Sequence, residues 1–140
     1  MLVNIYTDSS VKGFKGSGKL VYVLEAVRDN GETAKTESGC DTLEDISKNR
    51  AELLVIVEAL RRLKDPKAEV NIHTDSQYFI NSMPLLRKWS KNGWRRAKGR
   101  YVANHDLWTE YFQLTKTRKT LISPMSEHSY RKWLSWEAHK

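Results

Sequence analysis

Three acidic residues in this chain stand where a carboxylate can do chemistry. The run Glu69-Val70-Asn71-Ile72-His73-Thr74 has strand character and ends on Asp75; Ser76 and Gln77 follow, and Tyr78, Phe79 and Ile80 read as the apolar start of a helix. A carboxylate at the C-terminal end of a strand, where the chain turns into a helix, is where open α/β sheets place their ligands. The same design occurs near the N-terminus, where Leu2-Val3-Asn4-Ile5-Tyr6-Thr7 reads as a strand and Asp8-Ser9-Ser10 follows it. Glu52 is the third acid, inside Asn49-Arg50-Ala51-Glu52-Leu53-Leu54. If Leu53, Val57 and Leu60 face the sheet, Glu52 lies at the edge of that helix, one turn from Lys48 and Asn49. Taken singly, a helical Glu is usually solvated and a strand-end Asp is often a turn residue or a cap. Brought together, the three would repel one another unless cations neutralise them, and oxygen-loving Mg²⁺ or Mn²⁺ suits an all-carboxylate site. No Ser-His or Cys-His pairing argues for a covalent nucleophile.

The elements that must position these acids can be read in order. Residues 2–7 and 20–27 alternate as strands, with the glycine-rich loop 12–18 between them; that loop lacks the spacing and the Lys-Ser/Thr ending of a phosphate-binding P-loop. Asp29-Asn30-Gly31 is a hairpin turn and implies an antiparallel third strand near 32–39. From Asp45 the period becomes helical, and Asp65-Pro66 stops that helix before the strand 69–74. Residues 76–82 look helical, and Pro84 starts a short helix over 84–91. A basic connection from Lys91 to Asn104 leads to a helix beginning at Leu107, with Asp106 as its N-cap. Lys119–Ser123 is a short strand, Pro124 ends it, and Ser126 caps a last helix from Glu127 onwards, with Trp133, Leu134 and Trp136 as its buried face. The order is βββαβααβα: an α/β fold with a mixed sheet, expected to form a single domain over residues 1–140.

Composition narrows the function. The 39% apolar content fits a folded chain, and the lone Cys40 excludes an internal disulfide framework and makes a Cys-based zinc site a poor fit. No signal peptide and no membrane-spanning run is seen, so the cytosol is the expected compartment and a monomer the expected state. The net charge of +7 favours a polyanionic partner, nucleic acid first. Between Asp75 and Asp106 there is no acid, while Arg87, Lys88, Lys91, Arg95, Arg96, Lys98 and Arg100 crowd around Trp89 and Trp94.

Tyr6-Thr7-Asp8-Ser9-Ser10, Asn49-Arg50-Ala51-Glu52-Leu53 and His73-Thr74-Asp75-Ser76-Gln77-Tyr78 resemble the three signature segments of type I ribonuclease H, in the same order and at family-like intervals. The likeness continues through Trp89-Ser90-Lys91-Asn92-Gly93-Trp94 and Asn104-His105-Asp106-Leu107-Trp108. The resemblance implies a five-stranded mixed sheet flanked by helices and endonucleolytic cleavage of the RNA strand of an RNA–DNA hybrid. It implies that Asp8, Glu52 and Asp75 hold two Mg²⁺ ions, with Mn²⁺ as a substitute. Ser10, Asn49 and Gln77 match polar positions that contact the hybrid; an amide can both donate to and accept from a 2′-OH. The Trp89–Arg100 stretch, including Trp94, Arg95, Arg96 and Lys98, resembles a basic protrusion that grips DNA phosphates.

The sequence also departs from the family, which adds a helical aspartate as fourth carboxylate and a histidine in the loop before it. No aspartate follows Asp106 here. Glu127, at the start of the last helix, is the expected substitute ligand, and His128 the expected loop histidine. Two other readings stay open: a hybrid- or duplex-binding module with impaired catalysis, and a related metal nuclease acting on another nucleic-acid structure.

Overall fold

The structure, a computed structural model, describes residues 1–125 and 130–140. Strands β1 (Leu2–Val11), β2 (Gly18–Val27) and β3 (Thr33–Leu43) form an antiparallel meander. The β2–β3 turn closes with the Gly31 N–H on the Arg28 carbonyl at 2.8 Å, and Gly31 takes φ +86°, which a side chain would disfavour. Helix α1 (Lys48–Arg61) then crosses over to β4 (Glu69–His73), which lies parallel to β1, and β5 (Thr120–Ser123) lies parallel to β4. The sheet order is β3-β2-β1-β4-β5, the mixed five-stranded sheet expected.

Between β4 and β5 run α2 (Gln77–Ser82), a 3-10 turn at Met83–Leu85, α3 (Leu86–Lys91) and α4 (His105–Thr115). Pro84 sits in that turn, so α2 and α3 are one helical path interrupted once; counted as one, they give βββαβααβα. Helix α5 (Arg131–His139) closes the chain. Among the described residues, no helix is long and apolar enough to cross a membrane.

The strand period sorts side chains to two faces. Val3, Ile5, Leu20, Tyr22 and Leu24 bury one face against α1 and the aromatic group Phe79, Trp108 and Tyr111. Tyr6, Val21 and Val23 bury the other against Leu134 and Ala138 of α5. At 100° per residue Leu134 and Ala138 share a stripe, while Trp136 lies on the far side. Trp133 and Trp136 are accordingly 38% and 62% exposed, which corrects the buried face expected for them.

Two boundaries also differ. Strand β1 does not stop at Thr7, because its pairing with β2 continues from Asp8↔Val21 to Val11↔Gly18. Asp106 is not the N-cap of α4: Asn104 occupies that position in the left-handed region, and Asp106 lies inside the first turn, paired through both oxygens with Arg50 of α1 at 3.0 and 2.6 Å.

Candidate active site

The parallel pairing of β1 with β4 ends at Tyr6↔His73, and the chemistry-bearing acids lie just beyond it. Asp8 extends from the part of β1 that has left β4 but still holds β2. Asp75 follows β4 and is fixed on both sides. The Thr74 N–H donates to the Ser123 carbonyl at 2.9 Å, and Ser76 caps α2 by accepting from the Phe79 N–H at 3.1 Å. The Ser76 hydroxyl also donates to Glu52, tying α1 to the β4–α2 corner. Leu53, Val57 and Leu60 are buried, so Glu52 does sit at the edge of the face that α1 turns to the core.

All three acids line one cleft of about 410 Å³, together with Lys48, Arg131 and His139. Their charges are already engaged. Asp8 accepts from the Ser9 N–H at 2.8 Å, Asp75 from the Met125 N–H at 2.9 Å, and Lys48 and Arg131 stand 4.0 and 3.7 Å from Glu52 and Asp75. Burial holds the Asp8 carboxyl above the ordinary carboxylate range, with Asp75 adding to the effect; the Ser9 N–H, His139 and Arg131 pull the other way. Among the described residues, no group of three or more His, Cys, Asp or Glu is arranged to grip a metal ion as it stands. The donor chemistry nevertheless fits a hard divalent cation: three carboxylates on one cleft, one of them raised by burial and by a neighbouring acid.

The other expected residues are not all in the cleft. Ser10 donates its hydroxyl to the Ala138 carbonyl, pinning β1 to the end of α5. Asn49 and Gln77 are exposed in the first turns of α1 and α2, next to the cleft residues Lys48 and Ser76. Glu127 and His128 lie outside the described residues. Two other late acids are engaged elsewhere: Glu110 pairs with Arg61, and Glu137 faces Cys40 and Lys140.

Trp89 and Trp94, expected at the nucleic-acid contact, also anchor their loop to the body of the fold. Both are half-buried, Trp89 packed 6.3 Å from Trp108 and Trp94 edge-on to Phe112 at 5.8 Å. The Trp94 N–H donates to the Trp89 carbonyl at 2.7 Å, and the Trp94 carbonyl accepts from Val102 at 2.9 Å, closing a loop. Arg95 lies over the Tyr101 ring at 4.1 Å and donates to its hydroxyl at 2.9 Å. Arg96, Lys98 and Arg100 are exposed at the tip. Among the described residues, no carboxylate pairs with these cations.

Sequence reasoning missed Arg131, Ser135 and His139, which α5 presents to the cleft. Their i, i+4, i+8 spacing was the available signal for one helical face.

The family profile described as RNase H matches residues 2–130. The chain belongs to the ribonuclease H family. It is 34% identical over 131 residues to a ribonuclease H of Syntrophomonas wolfei, covering 92% of this chain and 86% of that one. It is 35% identical over 129 residues to a ribonuclease H of Chlorobaculum parvum, covering 91% and 84%. The fold is similar, with a TM-score of 0.77, to the crystal structure of LC9-RNase H1, a type 1 RNase H with the type 2 active-site motif; identity is 24%, covering 99% of this chain and 69% of that one. As a ribonuclease H, the chain is an endonuclease that cleaves the RNA strand of RNA–DNA hybrids, and its family depends on divalent metal ions.

Proposed function

We propose that Asp8, Glu52 and Asp75 carry this activity by holding two divalent cations, Mg²⁺ or Mn²⁺ in its place, against the scissile phosphate. The observation that carries the reading is their convergence, from three separate elements, on one cleft. Bound cations would supply Lewis acidity at the phosphate and a more acidic water.

The chain's own groups do the rest. Ser76 orients Glu52, and the Met125 N–H orients Asp75. Lys48 and Arg131 offset the carboxylate charge until cations arrive. Asn49 and Gln77 flank the cleft where an RNA minor groove can present its 2′-hydroxyls. Arg96, Lys98 and Arg100 take the phosphates of the DNA strand. Glu127 completes the acidic set as a fourth ligand, and His128 assists beside it. Every residue used lies in one chain, so the reading needs no second copy.

A gel assay on a hybrid labelled in either strand, with Mg²⁺, Mn²⁺ or EDTA, tests it. Metal-dependent cleavage confined to the RNA strand, lost in Glu52→Gln, is expected. Full cleavage by that variant would contradict the assignment.

A further inference from the structure

Among the described residues, α5 presents a cation, Arg131, to the carboxylates. We propose that Arg131 is a phosphate ligand of this site: its guanidinium binds a non-bridging oxygen of the scissile phosphate and stabilises the charge that grows there during cleavage. The inference rests on the carboxylate reading above and adds a residue to it.

Position comes first. Arg131 opens α5 and lines the same cleft as Asp8, Glu52 and Asp75. Its Nη1 donates to the Met125 carbonyl at 3.0 Å, while the Met125 N–H donates to Asp75 at 2.9 Å. One residue therefore sets both the arginine and the aspartate. The Arg131 side chain is 39% exposed, so a polymer lying across the cleft can reach it.

Comparison with the other arginines shows the difference. Arg50 and Arg61 meet Asp106 and Glu110 through two nitrogens each, with contacts of 3.0 Å or less, and join α1 to α4. Those are structural clasps. The Arg131–Asp75 contact is longer, at 3.7 Å, and it joins Arg131 to one of the cleft's own carboxylates and not to a neighbouring helix. Once divalent cations occupy the carboxylates, Asp75 no longer favours the guanidinium. A phosphodiester is the anion that the activity itself brings into the cleft, and the planar fork of arginine matches its oxygens. Donors aimed at developing phosphoryl charge contribute to the rate directly. Ser135 and His139 continue the same face of α5, so this wall of the cleft is polar and basic along its length.

The test uses the full chain with Arg131→Ala, Arg131→Lys and Asp75→Asn. Three quantities are read: single-turnover cleavage at saturating hybrid and Mg²⁺, Mn²⁺ affinity of the hybrid-free protein by calorimetry, and thermal melting. Arg131→Ala is expected to cleave about 10²-fold more slowly. It should bind Mn²⁺ as tightly as wild type or more so, because a competing cation is gone. Arg131→Lys should recover part of the rate, since it restores the charge without the fork, and it serves as the comparison if the alanine variant does not fold. Cleavage by either variant within twofold of wild type overturns the proposal. So does a loss of Mn²⁺ affinity that tracks the loss of rate, which would make Arg131 a positioning residue for Asp75. Asp75→Asn separates the two ideas: if it cleaves normally, the carboxylate reading fails whatever Arg131 does.

Discussion

Around Asp8, Glu52 and Asp75, charge is held by buried strands and a capped helix; in the loop from Trp89 to Val102 it stands in water on a backbone pinned by two half-buried tryptophans. In the cleft, buried Ile5, Val70 and Ile72 fix where the acids emerge, and a register slip of one residue would turn the strand's side chains to the wrong face. In the loop, the cations are exposed, and their attraction to phosphate is long-ranged and screened by salt. The contrast teaches that chemistry and grip are separately built, so they can be damaged separately.

The largest effect is expected in the cleft. Asp75→Asn should lower cleavage at saturating hybrid by at least about 10²-fold, since it removes charge from a site that works by electrostatics. Hybrid affinity measured by fluorescence anisotropy in EDTA should hold or rise slightly. Parallel loss of affinity would merge the two regions into one.

Next comes the anchor of the loop. Trp94→Ala should cost about 2 kcal/mol in urea unfolding, below the range for a fully buried tryptophan because the ring is only half-buried. Affinity should fall with it as the loop loosens. Weakened affinity at unchanged stability would instead show the ring stacking on nucleic acid.

Neutralising Arg95, Arg96 and Lys98 together should flatten the salt dependence of hybrid binding by up to about three phosphate contacts. The saturating rate should change little. A double variant of Arg96 and Lys98 sharpens the point, because Arg95 is also engaged with Tyr101.

The smallest effect tests the clasp between α1 and α4. The hydrogen bonds from Arg50 hold the Asp106 carboxyl down at about 2, against an ordinary 3.8. A depressed carboxylate adds stability that is present above the unfolded value and lost as pH falls from about 3.8 toward 2. The pair is partly exposed, so Asp106→Asn should cost under about 1 kcal/mol at pH 7. Urea midpoints should show that difference shrinking through this window.

Much of this was legible in the residues. The Thr-Asp-Ser endings, the hairpin turn at Gly31 and the apolar stripe around Glu52 each point to their element by local rules. What escaped depended on long-range partners. Only pairing with β2 shows that β1 runs past Asp8. Only the packing of α4 shows that Trp89 and Trp94 face inward, since a tryptophan among arginines reads alike as anchor or platform. The α5 face turned on which side of the helix met Val21 and Val23. Leu134 and small Ala138 fit there, and two tryptophans that looked like core were left outside.

The central claim is that Asp8, Glu52 and Asp75 together hold the metal ions. Calorimetric titration of Mn²⁺ into the hybrid-free chain and into the triple variant Asp8→Asn, Glu52→Gln, Asp75→Asn tests it most directly. Saturable binding by the wild type and none by the triple variant, with hybrid affinity in EDTA preserved in both, is the expected result. Equal Mn²⁺ binding by the two proteins would contradict the account.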